Sequence, residues 1–480
     1  MSEITDRLKH LSPEQRSRLL TRLAVATSQA GSAATDVQSA SDTVPLLPAQ
    51  RLLLARLDSY GVDVSRYPVT SLVQVAAPVS ADVTRSALAV LLGRHEALRM
   101  RFSRDERGWR QDLMSPPPPP EVSIVDVVSR PAAERAAMAT DAYQDARHGL
   151  DVTVGRLVRL AVVRGGPDEP VKLFLAVHHL AADAYSLGIL WRDFWSAYRQ
   201  ADRGEQVRLP TIVTPYPEWV RRLHGYAGSH QFSSDARYWQ DLPWQGAPPA
   251  ADGDPLTGGP ARPTTVQVVL PQEDTARVLD ALPAAAQLPE AVLAGLVDAL
   301  RQATGRAAHR VAVVRHGRTP LLEGIDLSRT IGWLTAHPML VLDLAGADRP
   351  VEAVASVSRQ LRRMPMGGLT WEWLLLRPEY HERLRTVMRR PALAFDYVGL
   401  GGLATGPDGP RPVRDEVDAL AGVPNVWIGN VLMVVAQLAE GQLRVRLLFD
   451  ERAHRTAEVR AAADHLLAFL RQLSARQVTS

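Results

Sequence analysis

The sequence predicts an α+β protein of two lobes similar in size, each a two-layer sandwich with a sheet covered by helices. Three observations predict it. Strand-length apolar runs mix with amphipathic helical stretches along the chain. The second half repeats the style of the first, and no short-period repeat points to a solenoid or propeller. The 480 residues suffice for about two to four domains. A hydrophobic fraction of 46% with 22% charged residues is the balance of an ordinary globular chain with enough apolar residues for a core.

The elements follow in order. Residues 1–28 read as one amphipathic helix, with Leu8, Leu11, Leu19, Leu20 and Leu23 near helical spacing and Ser12 and Pro13 as N-cap and first-turn proline. Residues 30–44 are small and polar and read as a linker, so the globular body begins at Pro45. The expected division is 1–44, then a lobe over 45–225, then a lobe over 226–480. Pro48–Leu57 reads as a helix, Ser71–Ala77 as a strand, and residues 81–98 as a helix capped by Ser80. Phe102 onward and Trp109–Leu113 suggest a hairpin, ended by Pro116–Pro120, a run that cannot sit inside a sheet. A helix over 132–147 is followed by strands Leu157–Val163 and Val171–Val177 and a helix over 186–199. Residues 215–258 are rich in Trp, Pro and Gly and read as the crossover between halves. The second half reads as strand Thr264–Leu270, helices 273–282 and 289–304, strand Arg310–Arg315, strands near 339–344, 426–437 and 442–449, and a helix over about 455–474.

Composition excludes several functions. Fifty-five Lys and Arg against 52 Asp and Glu give a net charge of +3, no electrostatic basis for binding nucleic acid. With no cysteine there is no disulfide framework, thiolate nucleophile, Cys-ligated zinc or iron–sulfur cluster. The first twenty residues are charged and lack the apolar core of a signal peptide, and no apolar run approaches the roughly 18 residues of a membrane span. A cytoplasmic protein without a membrane segment is the expectation.

The most informative stretch is residues 171–190, VKLFLAVHHLAADAYSLGIL. An apolar strand delivers His178 and His179 into a short loop, with Asp183 four residues after His179 and a helix starting near Ser186. Adjacent strand residues face opposite ways, so one histidine points into the body and the other into whatever the strand end opens onto. A neutral imidazole there can take a proton from a nucleophile at neutral pH. The pair could equally be structural. Two histidines and an aspartate could also ligate a metal, although no further ligand lies nearby in sequence.

This stretch resembles the signature of condensation domains in non-ribosomal peptide synthetases, two histidines, three variable residues, then Asp-Gly. Further likenesses follow in order. Leu47–Gln50 (LPAQ) resembles the family's "S-x-A-Q" helix, and Arg94–Arg99 (RHEALR) its "R-H-E-x-L-R" helix. Asp235–Trp239 (DARYW) resembles the crossover segment, Ile331–Trp333 (IGW) resembles "I-G-x-F", and His316–Arg318 with Asp326–Arg329 resemble the strand and loop before it. The likeness covers roughly residues 5–474, and LSPEQRSRLLTRL looks like the leader preceding such domains.

The resemblance implies two chloramphenicol-acetyltransferase-like lobes in a V-shaped pseudo-dimer, with the active site in a tunnel between them and a bridging loop near 395–430. It implies peptidyl or acyl carrier proteins as partners, presenting donor and acceptor on phosphopantetheine. It implies no cofactor or metal of the protein's own, a small-molecule or carrier-bound acceptor, and a monomer. His179 would deprotonate or orient the attacking amine or hydroxyl. His178 and Asp183 would be structural, Asp183 pairing with Arg99 or Arg94. Ser186, Trp333 and Tyr397 are candidates for the tunnel wall. A free-standing enzyme, or a domain excised from a synthetase, is the expectation.

Two departures matter. The family has Gly after the motif Asp, where this chain has Ala184; Gly would permit φ > 0 and close backbone approach, so a non-catalytic module that docks carrier proteins or a tailoring enzyme is an alternative. Residues 316–333 and 391–399 resemble the epimerization branch ("E-G-H-G-R", "F-N-Y-L-G"), which implies a Glu two positions before the His of H-G-R as acid/base partner. Here that position is Val314, and Asp396 replaces the Asn before Tyr397, so condensation ranks above epimerization of a carrier-bound residue unless another residue supplies the second base. Trp371–Trp373 reads as a packed helix face. The pairs Arg362-Arg363 and Arg389-Arg390 read as solvated or as contacts for an acidic carrier, and Gly399–Gly402 as a turn that is not a phosphate loop.

Overall fold

The computed structural model describes residues 43–76, 78–166, 169–247, 263–319, 321–380, 384, 392–398, 409–413 and 432–475. The expected N-terminal helix, nearly all of the expected linker, Arg389 and Arg390, Gly399–Gly402 and most of the expected bridging loop lie outside the described residues. Those residues pack as two units. One takes 43–225, 322–334 and 409–413; the other takes 226–321, 335–398 and 432–475.

The first unit contains β1 (Thr43–Val44), α1 (Pro48–Tyr60), β2 (Pro68–Val75), α2 (Ala81–Arg94), β3 (Met100–Asp105), β4 (Gly108–Leu113), β5 (Val122–Asp126), α3 (Ala132–His148), β6 (Val158–Arg164), β7 (Val171–His178), α4 (Ala184–Asp202) and most of α5 (Tyr216–Ala227). With β12 (Arg411–Pro412), they build a five-stranded sheet in the order β12-β2-β7-β6-β5. β7 runs antiparallel to β2 and β6 over nearly its whole length. This central place explains its almost uninterrupted apolar sequence, because both faces are covered. On one face Leu72 and Phe174 pack with Tyr143 of α3, whose ring stacks 4.8 Å from that of Phe174. On α4, the Trp191 indole donates to Ser71 Oγ of β2 at 3.1 Å. A smaller sheet, β1-β4-β3, contains the expected hairpin.

Helix α2 ends at Arg94, four residues short of the expected end. His95 is extended (φ −99°, ψ 103°) and residues 96–99 form a 3₁₀ turn. The reason is tertiary: the His95 ring is buried against Asp193 of α4, 3.1 Å from Nε2 to Oδ2. The expected crossover holds two helices, α5 and α6 (His230–Gln240). Their buried residues Trp219, Leu223, Phe232, Ala236 and Trp239 recur at helical spacing under a composition that reads as loop.

The second unit contains α6, β8 (Pro263–Leu270), α7 (Gln272–Ala281), α8 (Leu288–Thr304), β9 (Ala308–Val313), β10 (Met339–Asp343), α9 (Pro350–Arg362), α10 (Thr370–Leu375), β11 (Leu393–Tyr397), β13 (Leu432–Ala439), β14 (Gln442–Asp450) and α11 (Thr456–Ala475). The sheet order is β10-β9-β11-β13-β14-β8. Helix α8 packs against α9 and α11. Gly295 permits the close approach to α11, since a Cβ there would stand 2.7 Å from Leu466 Cδ1. Trp371, Glu372 and Trp373 are all buried on the short helix α10, and Arg362 and Arg363 are exposed at the end of α9. Among the described residues no helix is long and apolar enough to cross a membrane.

Candidate active site

The two adjacent histidines separate at the end of β7. His178 is fully buried, and its Nε2 lies 2.7 Å from the Val64 carbonyl while Nδ1 accepts the Leu180 N–H at 3.1 Å. One ring nitrogen must donate and the other accept, so these contacts select the neutral Nε2–H tautomer. Burial lowers its pKa to about 4, only partly opposed by the Val64 carbonyl. His178 is thus a neutral peg at physiological pH.

His179 is half-buried, and its backbone N–H donates to the Tyr67 carbonyl at 2.9 Å, extending the pairing of β7 with the start of β2. Its imidazole packs against two aromatic rings. Tyr67 stacks with centroids 5.4 Å apart and planes at 22°, and Trp333 packs at 4.3 Å and 41°.

Asp183 caps α4. Its Oδ1 accepts the Ser186 N–H at 2.9 Å, and its Oδ2 accepts the Leu334 N–H at 3.0 Å. Ser186 Oγ lies 2.8 Å from Asp183 Oδ1 and 3.0 Å from the Gly332 carbonyl, and it accepts the Gly332 N–H at 3.2 Å. Two residues at the start of α4 therefore grip the backbone of 332–334 on both sides of Trp333. A second frame holds the loop that follows His179. The buried Gln50 donates to the Leu180 carbonyl at 2.7 Å and to the Tyr216 hydroxyl at 3.1 Å, and accepts the Leu47 N–H at 2.8 Å. The Tyr216 ring fills the space where Gly332 lacks a side chain; a Cβ there would be 2.6 Å from Tyr216 Cδ2.

The expected pairing of Asp183 with Arg94 or Arg99 is not formed. Arg94 lies 3.8 Å from Asp193 and donates to the Pro210 carbonyl, whereas Arg99 lies 3.4 Å from the Met114 carbonyl. Asp193, 1% exposed, is the carboxylate that collects the arginines, with Arg94, Arg329 and the His95 ring around it. Burial alone would raise its pKa, but the His95 hydrogen bond and the arginines hold it below the usual carboxylate value. This cluster sits on α4 ten residues after Asp183, so the motif carboxylate closes the helix and a later one takes the arginines.

Ala184 is the first residue of α4, exposed, and not among the residues of positive φ. The backbone at this position does not require glycine. Tyr397 ends β11 in the second unit, half-buried, and burial raises its phenol pKa. Of the expected residues, the structure therefore brings His178, His179, Asp183, Ser186 and Trp333 together, with Arg94 and Arg99 elsewhere in the same unit.

In the second unit, the pairing of Met339 with Ala312 continues through the Pro338 carbonyl, which accepts the Val313 N–H at 3.0 Å, to the bridge between Ala336 and Arg315. This register sets His337 opposite Val314. His337 Nδ1 lies 2.9 Å from Glu372 Oε1, the oxygen that also accepts the His337 backbone N–H at 3.0 Å. Neither this pair nor the contribution of Tyr67 was visible in the sequence, because tertiary packing of α10 and the pairing of β7 with the start of β2 bring them into place.

Among the described residues no group of three or more His, Asp or Glu is placed to hold a metal ion. A family model described as Condensation domain matches residues 40–477. A linear gramicidin synthase of Brevibacillus parabrevis is 28% identical over 474 residues, covering 97% of this chain and 9% of that protein. Chondramide synthase cmdD of Chondromyces crocatus is 32% identical over 362 residues, 74% of this chain and 9% of that protein. The chain therefore spans less than a tenth of the length of these relatives. Among solved structures, the epimerization domain from the third module of tyrocidine synthetase B aligns with a TM-score of 0.73 at 21% identity, covering 91% of this chain and 98% of that one. The first condensation domain of the CDA synthetase aligns with a TM-score of 0.64 at 20% identity, covering 90% and 96%. These structural likenesses establish the two-lobed α+β fold.

Proposed function

Because the chain belongs to the condensation-domain family of non-ribosomal peptide synthetases, we propose that it joins a carrier-bound acyl or aminoacyl thioester to an amine or alcohol acceptor, with His179 as the base or orienting group. The acceptor nitrogen or oxygen attacks the thioester carbonyl, and its proton passes to the imidazole as the new C–N or C–O bond forms. Collapse of the tetrahedral intermediate expels the phosphopantetheine sulfur, which recovers the proton from the imidazolium. The products are an amide or ester and a free thiol, with no net change of protons or electrons. A positioned base of this kind contributes about 10²–10⁴-fold.

The observation that carries this reading is the division of roles within HHxxxD. His178 is neutral and bonded to backbone at both nitrogens, and Asp183 is bonded to the start of α4 and to the Leu334 N–H. His179, half-buried and in contact with the rings of Tyr67 and Trp333, is the motif side chain with a ring suited to proton transfer. Ala184 does not count against catalysis, since its backbone is helical and its methyl exposed. The partner would be a carrier protein with its phosphopantetheine arm, and no further cofactor enters the scheme. The test is incubation with an acyl-loaded carrier protein and a panel of amines and alcohols, read by intact mass. A conjugate together with unloaded carrier supports the reading. Carrier binding without transfer overturns it in favour of a docking module.

One observation favours a second reading, epimerization of the carrier-bound residue. His337, held by Glu372, stands across the ladder from Val314, the position that by resemblance would carry an acid/base Glu. An imidazole with Nδ1 given to a carboxylate can exchange a proton through Nε2. Uptake of solvent deuterium at the α-carbon of the loaded residue, lost in His337→Ala, is the outcome this reading requires.

A further inference from the structure

We propose that Ser186 is a positioning residue of this site, setting Trp333 so that its indole fixes the His179 imidazole; the proposal rests on the reading of His179 as the proton-handling group. Ser186 is fully buried in the first turn of α4, where a hydroxyl has no exposed role. Its Oγ accepts the Gly332 N–H at 3.2 Å, and its single proton faces both the Gly332 carbonyl at 3.0 Å, 146 residues away in the chain, and Asp183 Oδ1 at 2.8 Å. Asp183 Oδ2 takes the N–H of Leu334. The Gly332 carbonyl belongs to the peptide before Trp333, and the Leu334 N–H to the peptide after it. Both peptide planes flanking the Trp333 Cα are therefore held, and with them the root of the indole.

The neighbouring contacts prevent this segment from shifting as a body. Tyr216 packs against Gly332, Thr214 Oγ1 accepts the Asp326 N–H at 3.0 Å, and Thr330 donates to the Thr214 carbonyl at 2.7 Å. What remains adjustable is the tilt of residues 332–334, and the Ser186 hydroxyl sets it. The indole, 2% exposed, lies 4.3 Å from the imidazole, and the Tyr67 ring stacks on the same imidazole at 5.4 Å, so two aromatic contacts restrict the imidazole plane before substrate arrives.

The test reads the contact directly and then its consequence. In full-length protein with ¹³C-labelled histidine, the His179 ring protons, identified by their absence in His179→Ala, carry a ring-current shift from the indole that Trp333→Leu removes. Ser186→Ala should move these signals toward their positions in Trp333→Leu, and Ser186→Thr, which keeps the hydroxyl, should leave them near wild type. With a loaded carrier, Ser186→Ala should lower kcat roughly 10-fold with KM for the carrier unchanged, and the double variant with Trp333→Leu should be no slower than Trp333→Leu alone. Wild-type His179 signals in folded Ser186→Ala, or multiplicative losses in the double variant, would overturn the proposal. An unfolded Ser186→Ala leaves the decision to Ser186→Thr, whose signals must then match wild type. Full transfer activity in His179→Ala would sink the catalytic reading instead, a failure the ring shifts distinguish from this one.

Discussion

Asp183 Oδ2 accepts the backbone N–H of Leu334 at 3.0 Å, tying together residues 151 positions apart in the chain. The other oxygen of the same carboxylate accepts the Ser186 N–H at the start of α4. One buried carboxylate therefore closes a helix and anchors the segment that carries Trp333 to His179. Asp183→Ala should lower stability by about 2–4 kcal/mol, combining a lost N-cap of about 1 kcal/mol with about 1–3 kcal/mol for the Leu334 N–H left without its acceptor. Asp183→Asn should fall between, since its single carbonyl oxygen cannot serve both donors. Urea midpoints for the three proteins check this, and equal midpoints would refute it.

His178 makes stability depend on pH in a defined direction. Its value is about 6.5 unfolded and about 4 in the folded protein, where burial disfavours the charged ring. Between those values only the unfolded chain takes up the proton. Its contribution is complete above about pH 6.5 and declines as pH falls toward 4, by up to about 3 kcal/mol at about 1.4 kcal/mol per pKa unit. Burial lowers His95 as well, which acts in the same direction. His178→Gln, which retains a donor for the Val64 carbonyl, should show a shallower loss of urea midpoint between pH 6.5 and 4.5 than wild type. Parallel curves would contradict the assignment.

Ala184→Gly restores the family residue but not any backbone need. A glycine in the first turn of α4 should lower stability by about 0.5–1 kcal/mol through its greater unfolded-state freedom, and leave kcat within about twofold of wild type. Thermal melts and transfer rates measured together decide it; a large gain in kcat would mean that the alanine methyl obstructs substrate.

Arg329 belongs to the same segment as Trp333 and pairs with Asp193 of α4. Arg329→Met should lower stability by about 2–3 kcal/mol, less than breaking an isolated buried pair, because His95 and Arg94 continue to face the carboxylate. The double variant with Asp193→Asn should lose less than the sum of the two single variants, since both remove one interaction. Additive losses in urea unfolding would argue against the coupling.

Much of the fold was legible because its signals are local. The apolar run of β7, the Ser80 cap of α2 and the hairpin of β3 and β4 each lie within a few residues of sequence. The early end of α2 was not, because His95 leaves the helix for a partner on α4. The helices of 216–240 were hidden by Trp and Pro, residues that read as loop until their burial at helical spacing is seen. In the site, the His178-His179 pair and Asp183 stood out as a motif, but their partners did not. Val64 reaches His178 from the 3₁₀ turn before β2 and Tyr67 reaches His179 by extending the β2–β7 pairing, while Gly332 and Leu334 reach Ser186 and Asp183 from about 150 residues away. The resemblance implied Arg94 or Arg99 as the partner of Asp183, yet in the fold Arg94 and Arg329 gather at Asp193.

The most direct measurement of the central claim compares wild type with His179→Ala for transfer from an acyl-loaded carrier to an amine or alcohol acceptor, with carrier binding measured alongside. A fall in kcat of about 10²–10⁴-fold with carrier affinity retained is the predicted result. Equal rates in the two proteins, or no transfer by a wild-type protein that still binds the loaded carrier, would contradict it.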